Sequence, residues 1–317
     1  MSVICPLSGT SNVKFLEELN SQTLISMYKK IFQVDISNEL SGIDKIQIYQ
    51  ASESDLIFFY PPIAGGEGFY EQLQKFDWYY MDEKPEYDFA KQFIKKSDLI
   101  LEIGCGKGAF SKKVSSTHYV GLEFSRKAKE IAEQQGTLVL NESIQQHSLE
   151  NSDKYDVVCA FQVLEHIPEL NSFIEGSIRA IKPGGLLIYS VPSADSFLSL
   201  ISNDLLNMPP HHVSFWSDKS LIYLGEKFDL NLVSIQHEKL SDFHKEWWTS
   251  SLVINSLQAA LKQETKWLND SIQYKILQKI SGIVGKFLAK GMNDERGLPY
   301  GHSVTVVYQK QVPVSSL

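Results

Sequence analysis

One stretch constrains this 317-residue chain more than any other: Asp98-Leu-Ile-Leu-Glu-Ile-Gly104-Cys-Gly106-Lys-Gly108-Ala-Phe110. Residues 99–103 form a short apolar run carrying one acid, Glu102, and read as a strand, while residues 109–114 read as the start of a helix. The glycines between them permit a tight strand-to-helix turn and let a ligand lie against bare backbone. A second acid, Glu123, closes the next strand pattern (Tyr119-Val-Gly-Leu-Glu) 19 residues after Gly104. That is the reach at which a βαβ unit sets an acid against a pair of ribose hydroxyls. A Gly-x-Gly-x-Gly turn by itself is shared with dinucleotide enzymes and packing turns, so the rest of the chain has to discriminate.

Three further segments do so. Tyr155-Asp-Val-Val-Cys-Ala-Phe-Gln-Val-Leu-Glu-His-Ile-Pro168 is a strand leading into a Leu-Glu-His loop. Arg179-Ala-Ile-Lys-Pro-Gly-Gly-Leu-Leu-Ile-Tyr-Ser-Val-Pro192 is a helix end, a Lys-Pro-Gly-Gly turn and another strand. Asn141-Glu-Ser-Ile-Gln-Gln-His147 follows a third strand pattern. In this order, across residues 98–192, the motifs resemble the class I S-adenosylmethionine-dependent methyltransferases of small-molecule type. The 141–147 segment is similar to the adenine-side loop of the ubiquinone-biosynthesis type. The resemblance implies an α/β fold: a Rossmann-like seven-stranded methyltransferase sheet with a small N-terminal lobe and a helical insertion between strands six and seven.

It also implies S-adenosyl-L-methionine as cofactor, and a set of residues to hold it. Gly104, Gly106 and Gly108 approach its amino-acid and ribose part, with Glu102 and the Cys105 backbone in the same cradle. Glu123 accepts from the ribose hydroxyls and Phe124 lies along the adenine. Ser143 and Ile144 border the ring, and Gln162 sits near the methionine carboxylate or sulfonium. Tyr79 and Tyr80, on the aromatic approach to the first strand, are candidates to cover the methionine end, or pack the lobe on the core.

Composition narrows the partners. An apolar fraction of 43% and a charged fraction of 21% are ordinary for a globular protein. A net charge of −8 and a pI near 5.5 argue against a broad nucleic-acid surface. No segment approaches the ~20 apolar residues of a bilayer span, so stable membrane insertion is not expected. The N-terminus lacks a signal-peptide pattern. Cys5, Cys105 and Cys159 are widely separated and read as reduced thiols of a cytoplasmic protein.

The chain divides into an N-terminal lobe (1–75), a cofactor-binding core (76–240), a helical insertion (241–300), and a last strand with a tail (301–317). Core strands are expected at 99–103, 119–123, 137–140, 156–161, 186–191 and 229–235, with the seventh at 303–308. Some small-molecule methyltransferases carry an N-terminal zinc ribbon. The matching positions here are Cys5, Ser8, Ala51 and Ser54, one thiolate where tetrahedral zinc needs four good ligands. The lobe therefore reads as a ribbon that has lost its metal, or as an unrelated lobe. In the insertion, apolar residues from Ile272 to Leu288 recur at three- and four-residue steps among Lys275, Lys279, Lys286 and Lys290. Packing on the core or on a second subunit, and hence a homodimer, ranks ahead of contact with a membrane surface.

On the acceptor side, Pro209-Pro-His211-His212-Val-Ser-Phe-Trp216 returns across the rim after strand five, and His166 ends the Leu-Glu-His loop. A histidine in either place has the chemistry of a general base. His212 is preferred, with His211 and His166 as the other candidates, and adjacent residues are expected to face different ways. His302, at the start of strand seven, reads as a residue of the same rim. Trp247 and Trp248 read as anchors of the insertion. Glu165, His166, His211 and His212 could gather around a divalent ion, but no spacing demands one, and no metal is assigned. Methylation of a small molecule, such as a sugar or secondary metabolite, is the leading reading. A protein acceptor and a catalytically silent cofactor-binding module are the alternatives.

Overall fold

Strands that are apolar along their whole length belong in the middle of a parallel sheet, where helices cover both faces. The computed structural model, which describes residues 2–76, 81–116, 118–292 and 297–313, builds two sheets. The N-terminal lobe contains β1 (Val13–Asn20), α1 (Ser21–Phe32), β2 (Lys45–Ala51) and β3 (Ile57–Tyr60). Short helices α2 (Glu67–Leu73) and α3 (Pro85–Ala90) lead to the core.

The core runs β4 (Ile100–Ile103), β5 (Tyr119–Leu122), α4 (Arg126–Gln134), β6 (Leu138–Leu140), α5 (Ile144–Glu150), β7 (Tyr155–Phe161), α6 (Leu170–Ala180) and β8 (Ile181–Pro192). Then come β9 (Ser214–Phe215), α7 (Asp218–Lys227), β10 (Leu230–Lys239), α8 (Asp242–Ala260), α9 (Ile272–Gly291) and β11 (Tyr300–Lys310). The large sheet has the order β10-β11-β8-β7-β4-β5-β6, with β4 to β8 parallel and β11 antiparallel to both neighbours. This is the expected seven-stranded sheet. Serine side chains cap the N-termini of α4, α5, α7, α8 and α9 (Ser125, Ser143, Ser217, Ser241, Ser271), satisfying amides the first turn leaves unpaired.

Two local expectations are corrected. Residues 109–114 do not open an α-helix; only a 3-10 turn, Phe110–Lys112, follows the glycine loop. The 141–147 segment, expected as a loop, instead runs into a helix, α5, after β6. The last strands are longer than their apolar runs, because pairing of β10 with β11 extends past the buried part.

The small sheet has the order β1-β2-β3-β9, so the chain returns after β8 to add a strand to the N-terminal lobe. Cys5, Leu7, Leu56 and Phe58 join Leu164 and Trp216 in one buried cluster, which welds lobe to core. Within the lobe, the Ser8 amide donates to Cys5 Sγ at 3.3 Å, and Cys5 Sγ lies 3.7 Å from Ser54 Oγ.

The insertion is an antiparallel pair, α8 against α9, springing from the edge where β10 ends and β11 begins. Trp248 is buried among Phe197, Leu198, Phe215 and Leu240 and anchors it; Trp247 stays partly exposed against Phe197. Only part of the apolar stripe of α9 is covered within the chain. Tyr274, Leu277, Ser281 and Gly285 are its buried residues, whereas Ile272, Ile276, Ile283 and Phe287 are exposed. Close helix approach selects small residues: a Cβ on Gly285 would stand 2.6 Å from the Ser250 backbone. Among the described residues, no helix is long and apolar enough to cross a membrane.

Candidate active site

Parallel strands carry their carboxyl ends to one edge, and loops from β4, β5, β6 and β7 meet there. The β4 loop needs its glycines. Gly104, Gly106 and Gly108 all have positive φ (70°, 52° and 75°), and a Cβ on Gly104 would stand 2.6 Å from Val163 Cγ2. Beneath the loop, Gly121 leaves room for Cys105, whose Sγ would lie 2.4 Å from a Cβ there. Burial pushes the Cys105 thiol pKa up, so it is an inert packing thiol.

Glu123 sits at the tip of β5 with both oxygens held. The Gly106 amide donates to Oε2 at 2.9 Å, and the Ser125 amide donates to Oε1 at 2.7 Å. Its remaining lone pairs are thereby aimed at the loop mouth. Partial burial raises its pKa against the opposing pull of those amides. Asn141 Nδ2 donates to the Glu123 and Phe124 carbonyls, tying the β5 and β6 loops, and the Phe124 ring is 67% exposed. Ser143 caps α5, while Ile144 is buried in the core. Gln162 has φ 58°, and its Nε2 donates to Ser303 Oγ at 3.1 Å and toward Glu86 Oε1 at 3.4 Å.

Glu102 does not open onto this mouth. Its side chain is buried and accepts from the Tyr119 hydroxyl, and burial raises its pKa to about 8. Tyr79 and Tyr80 lie outside the described residues.

Beside the cradle is a histidine cluster. His166, His211 and His212 pack ring against ring, with centroids 4.5–4.7 Å apart. Adjacent His211 and His212 stack at 21°, so the expectation that they face different ways is corrected. A turn, in which the His211 and His212 amides both donate to the Met208 carbonyl, brings the two rings to one side. His166 Nδ1 donates to the His211 carbonyl at 2.5 Å and His211 Nδ1 to the Leu206 carbonyl at 2.8 Å. His212 Nδ1 donates to Asn207 Oδ1 at 2.8 Å, with the amide oriented because Asn207 Nδ2 donates to Asp204. Burial holds His166 down to about 4 and His212 well below the ordinary histidine value, so both rings are neutral at pH 7. Glu165 is buried beside them, and burial raises it to about 8.

Some members of this rim carry no recognisable sequence signal. From α2, the Tyr70 hydroxyl reaches 3.3 Å from His166 Nδ1 and Gln74 Nε2 donates to Ser125 Oγ at 3.3 Å, so α2 lies across both halves of the mouth. Asn207 is equally unmarked. His302 lies at the start of β11 beside Ser303, at the same edge.

Known proteins resemble this chain in sequence and fold. The chain belongs to the methyltransferase-domain family, whose model matches residues 72–235, and it is a class I S-adenosylmethionine-dependent methyltransferase. It is 26% identical over 204 residues to the ubiquinone biosynthesis O-methyltransferase of Shewanella halifaxensis, covering 58% of this chain and 83% of that protein. It is 28% identical over 165 residues to the protein of the same name from Vibrio vulnificus, covering 46% and 70%. A solved S-adenosylmethionine-dependent methyltransferase from Archaeoglobus fulgidus is 16% identical, covering 71% of this chain and 94% of that one at a TM-score of 0.46. The residues present suit the cofactor: a glycine-rich loop, an anchored carboxylate one strand away and an exposed aromatic ring.

Proposed function

We propose that this enzyme methylates an oxygen of a small molecule in the cytoplasm, with His212 removing the acceptor proton. The observation that carries the reading is the neutral His212 ring, whose Nδ1–H is fixed by Asn207 and whose Nε2 therefore carries the lone pair. S-adenosylmethionine, when bound, supplies an electrophilic methyl group on a sulfonium. The chain's part is alignment and proton removal. Glu123 holds the ribose hydroxyls, Phe124 lies along the adenine, and Ser143 and Ile144 border it. Gly104, Cys105, Gly106 and Gly108 admit the remainder, with Gln162 at the methionine end. Glu102, bonded to Tyr119, positions the β4 loop from beneath. As the acceptor oxygen bonds to the methyl carbon, the carbon–sulfur bond breaks and the acceptor proton passes to His212.

The names of the relatives support an oxygen acceptor of small size. In this reading residues 1–75 are a ribbon-like lobe without zinc, and 241–300 cap the acceptor side. The exposed face of α9 is the contact for a second copy. Labelled S-adenosylmethionine offered with a panel of hydroxylated small molecules, and separately with peptides, tests the acceptor. Label in the small molecules alone is expected; label in peptides alone would move the assignment to a protein methyltransferase. Cofactor binding with no transfer to any acceptor would favour the silent module.

A further inference from the structure

The segment that carries His212 is held from two sides, and one of them is the N-terminal lobe. On the core side, the Val213 amide donates to the Glu165 carbonyl at 2.8 Å, and His166 Nδ1 donates to the His211 carbonyl. On the lobe side, the Phe59 amide donates to the Val213 carbonyl at 3.1 Å and the Gly65 amide to the Pro210 carbonyl at 2.7 Å. From α1, the Tyr28 hydroxyl donates to the Leu205 carbonyl at 2.6 Å. The Tyr28 ring is fully buried in one apolar cluster with Leu24, Phe69, Leu205 and Met208. A hydroxyl that deep is costly without a partner, so this bond fixes where the 3-10 turn Leu205–Asn207 sits against the lobe.

That turn decides which nitrogen of His212 carries the proton. A neutral imidazole has two tautomers, and the hydrogen bond made at one nitrogen selects the state of the other. An asparagine alone cannot select, because its amide offers an acceptor at one end and a donor at the other. Asp204 removes the ambiguity. Burial raises its pKa only to about 6, so at pH 7 and above it is ionised and can only accept; it takes Asn207 Nδ2 at 2.5 Å. Asn207 Oδ1 is thereby turned toward His212, 2.8 Å from Nδ1, and draws the ring proton to that nitrogen. The lone pair is left on Nε2. We infer that the N-terminal lobe is a positioning device for the general base: Tyr28 seats the 204–208 turn, and within it Asp204, acting through Asn207, sets the His212 tautomer. The catalytic consequence rests on the reading of His212 as the base; the tautomer itself does not. Tyr28, Asp204 and Asn207 are positioning residues, each acting through His212, and residues 1–75 thereby gain a task independent of any metal.

The full chain, labelled with ¹⁵N-histidine and loaded with S-adenosylhomocysteine, is measured at pH 8 by long-range ¹H–¹⁵N NMR, which reports the protonated nitrogen of each ring. His212→Ala identifies the His212 signals, and the wild type should show the proton on Nδ1. Asp204→Asn keeps the volume but adds a donor, so the amide chain can run in either sense and His212 should become a mixture of tautomers. With the best acceptor of the hydroxylated panel, that variant should lose about 10–10⁴-fold in kcat at unchanged affinity for S-adenosylhomocysteine. The upper end is the loss seen when a catalytic histidine is held in the wrong tautomer. Tyr28→Phe should lower kcat by about 10–100-fold at unchanged acceptor KM, through misplacement of the turn. Ile46→Val trims a buried β2 side chain, leaves every hydrogen bond of the turn in place, and should keep full kcat. A wild-type ring protonated on Nε2, or a tautomer that Asp204→Asn leaves unchanged, would overturn the relay. No loss in Tyr28→Phe, or equal losses in Tyr28→Phe and Ile46→Val, would overturn the lobe's part. Full turnover by His212→Ala would instead strike the base reading and leave the measured tautomer standing.

Discussion

Replacing Glu123 by alanine probes the cofactor site at its most structured point. The carboxylate accepts from two backbone amides, at 2.9 Å from Gly106 and 2.7 Å from Ser125, and these bonds leave outward lone pairs for a ribose diol. A charge-assisted contact of this kind contributes about 1.5–3 kcal/mol, so Glu123→Ala should raise the Kd for S-adenosylhomocysteine by roughly 10–150-fold. Glutamine should not rescue it. An amide fills the space but offers one acceptor oxygen where Gly106 and Ser125 supply two donors. Acidification adds a second readout. Burial raises the Glu123 pKa, so the wild type should lose affinity as pH falls through a value above that of an ordinary glutamate, and the alanine variant should lack that dependence. Calorimetry from pH 8 down to pH 5, with urea unfolding on the same samples, measures both. An unchanged Kd in a folded Glu123→Ala protein would refute the reasoning.

His212→Ala should lower turnover by about 10²–10⁴-fold while leaving cofactor affinity intact, because the ring lies outside the glycine loop; kinetics beside calorimetry separates the two. Glu102 has its folded pKa raised from 4.5 to about 8, so its contribution to stability is complete below about pH 4.5 and is lost as pH rises through 8. Glu102→Gln should therefore flatten the fall in stability between pH 5 and 8.5 by an amount on the order of a few kcal/mol, read from urea midpoints. Gly285→Ala forces a Cβ against the Ser250 backbone and should cost about 1–3 kcal/mol in thermal or urea unfolding without touching cofactor affinity. If the exposed α9 face joins two copies, Ile283→Asp with Phe287→Asp should yield a monomer by sedimentation, and an unchanged sedimentation profile would remove that contact.

The cradle is legible in the amino-acid sequence because its signals are local. Glycines at 104, 106 and 108 report a backbone conformation that other residues resist, and Glu123 follows at a separation set by one βαβ unit. Apolar runs mark the seven strands, and Ser217 marks the start of α7. The α9 stripe shows that a face exists but not which side docks. Gly285 against Ser250 decides that, since close helix packing selects small side chains over large apolar ones.

The linear chain determined the parallel sheet, the ligand edge and the cofactor loop, because strand pattern and backbone freedom are properties of short segments. Only the tertiary structure decided the acceptor side. Tyr70 reaches His166 across 96 positions, and His166 meets the His211 carbonyl across 45. Glu165, unremarkable within Leu-Glu-His, becomes a buried carboxyl among imidazoles only when the 205–216 segment folds back to pair with β3. Burial then sets the charge of those groups, and burial depends on what the rest of the chain places around them.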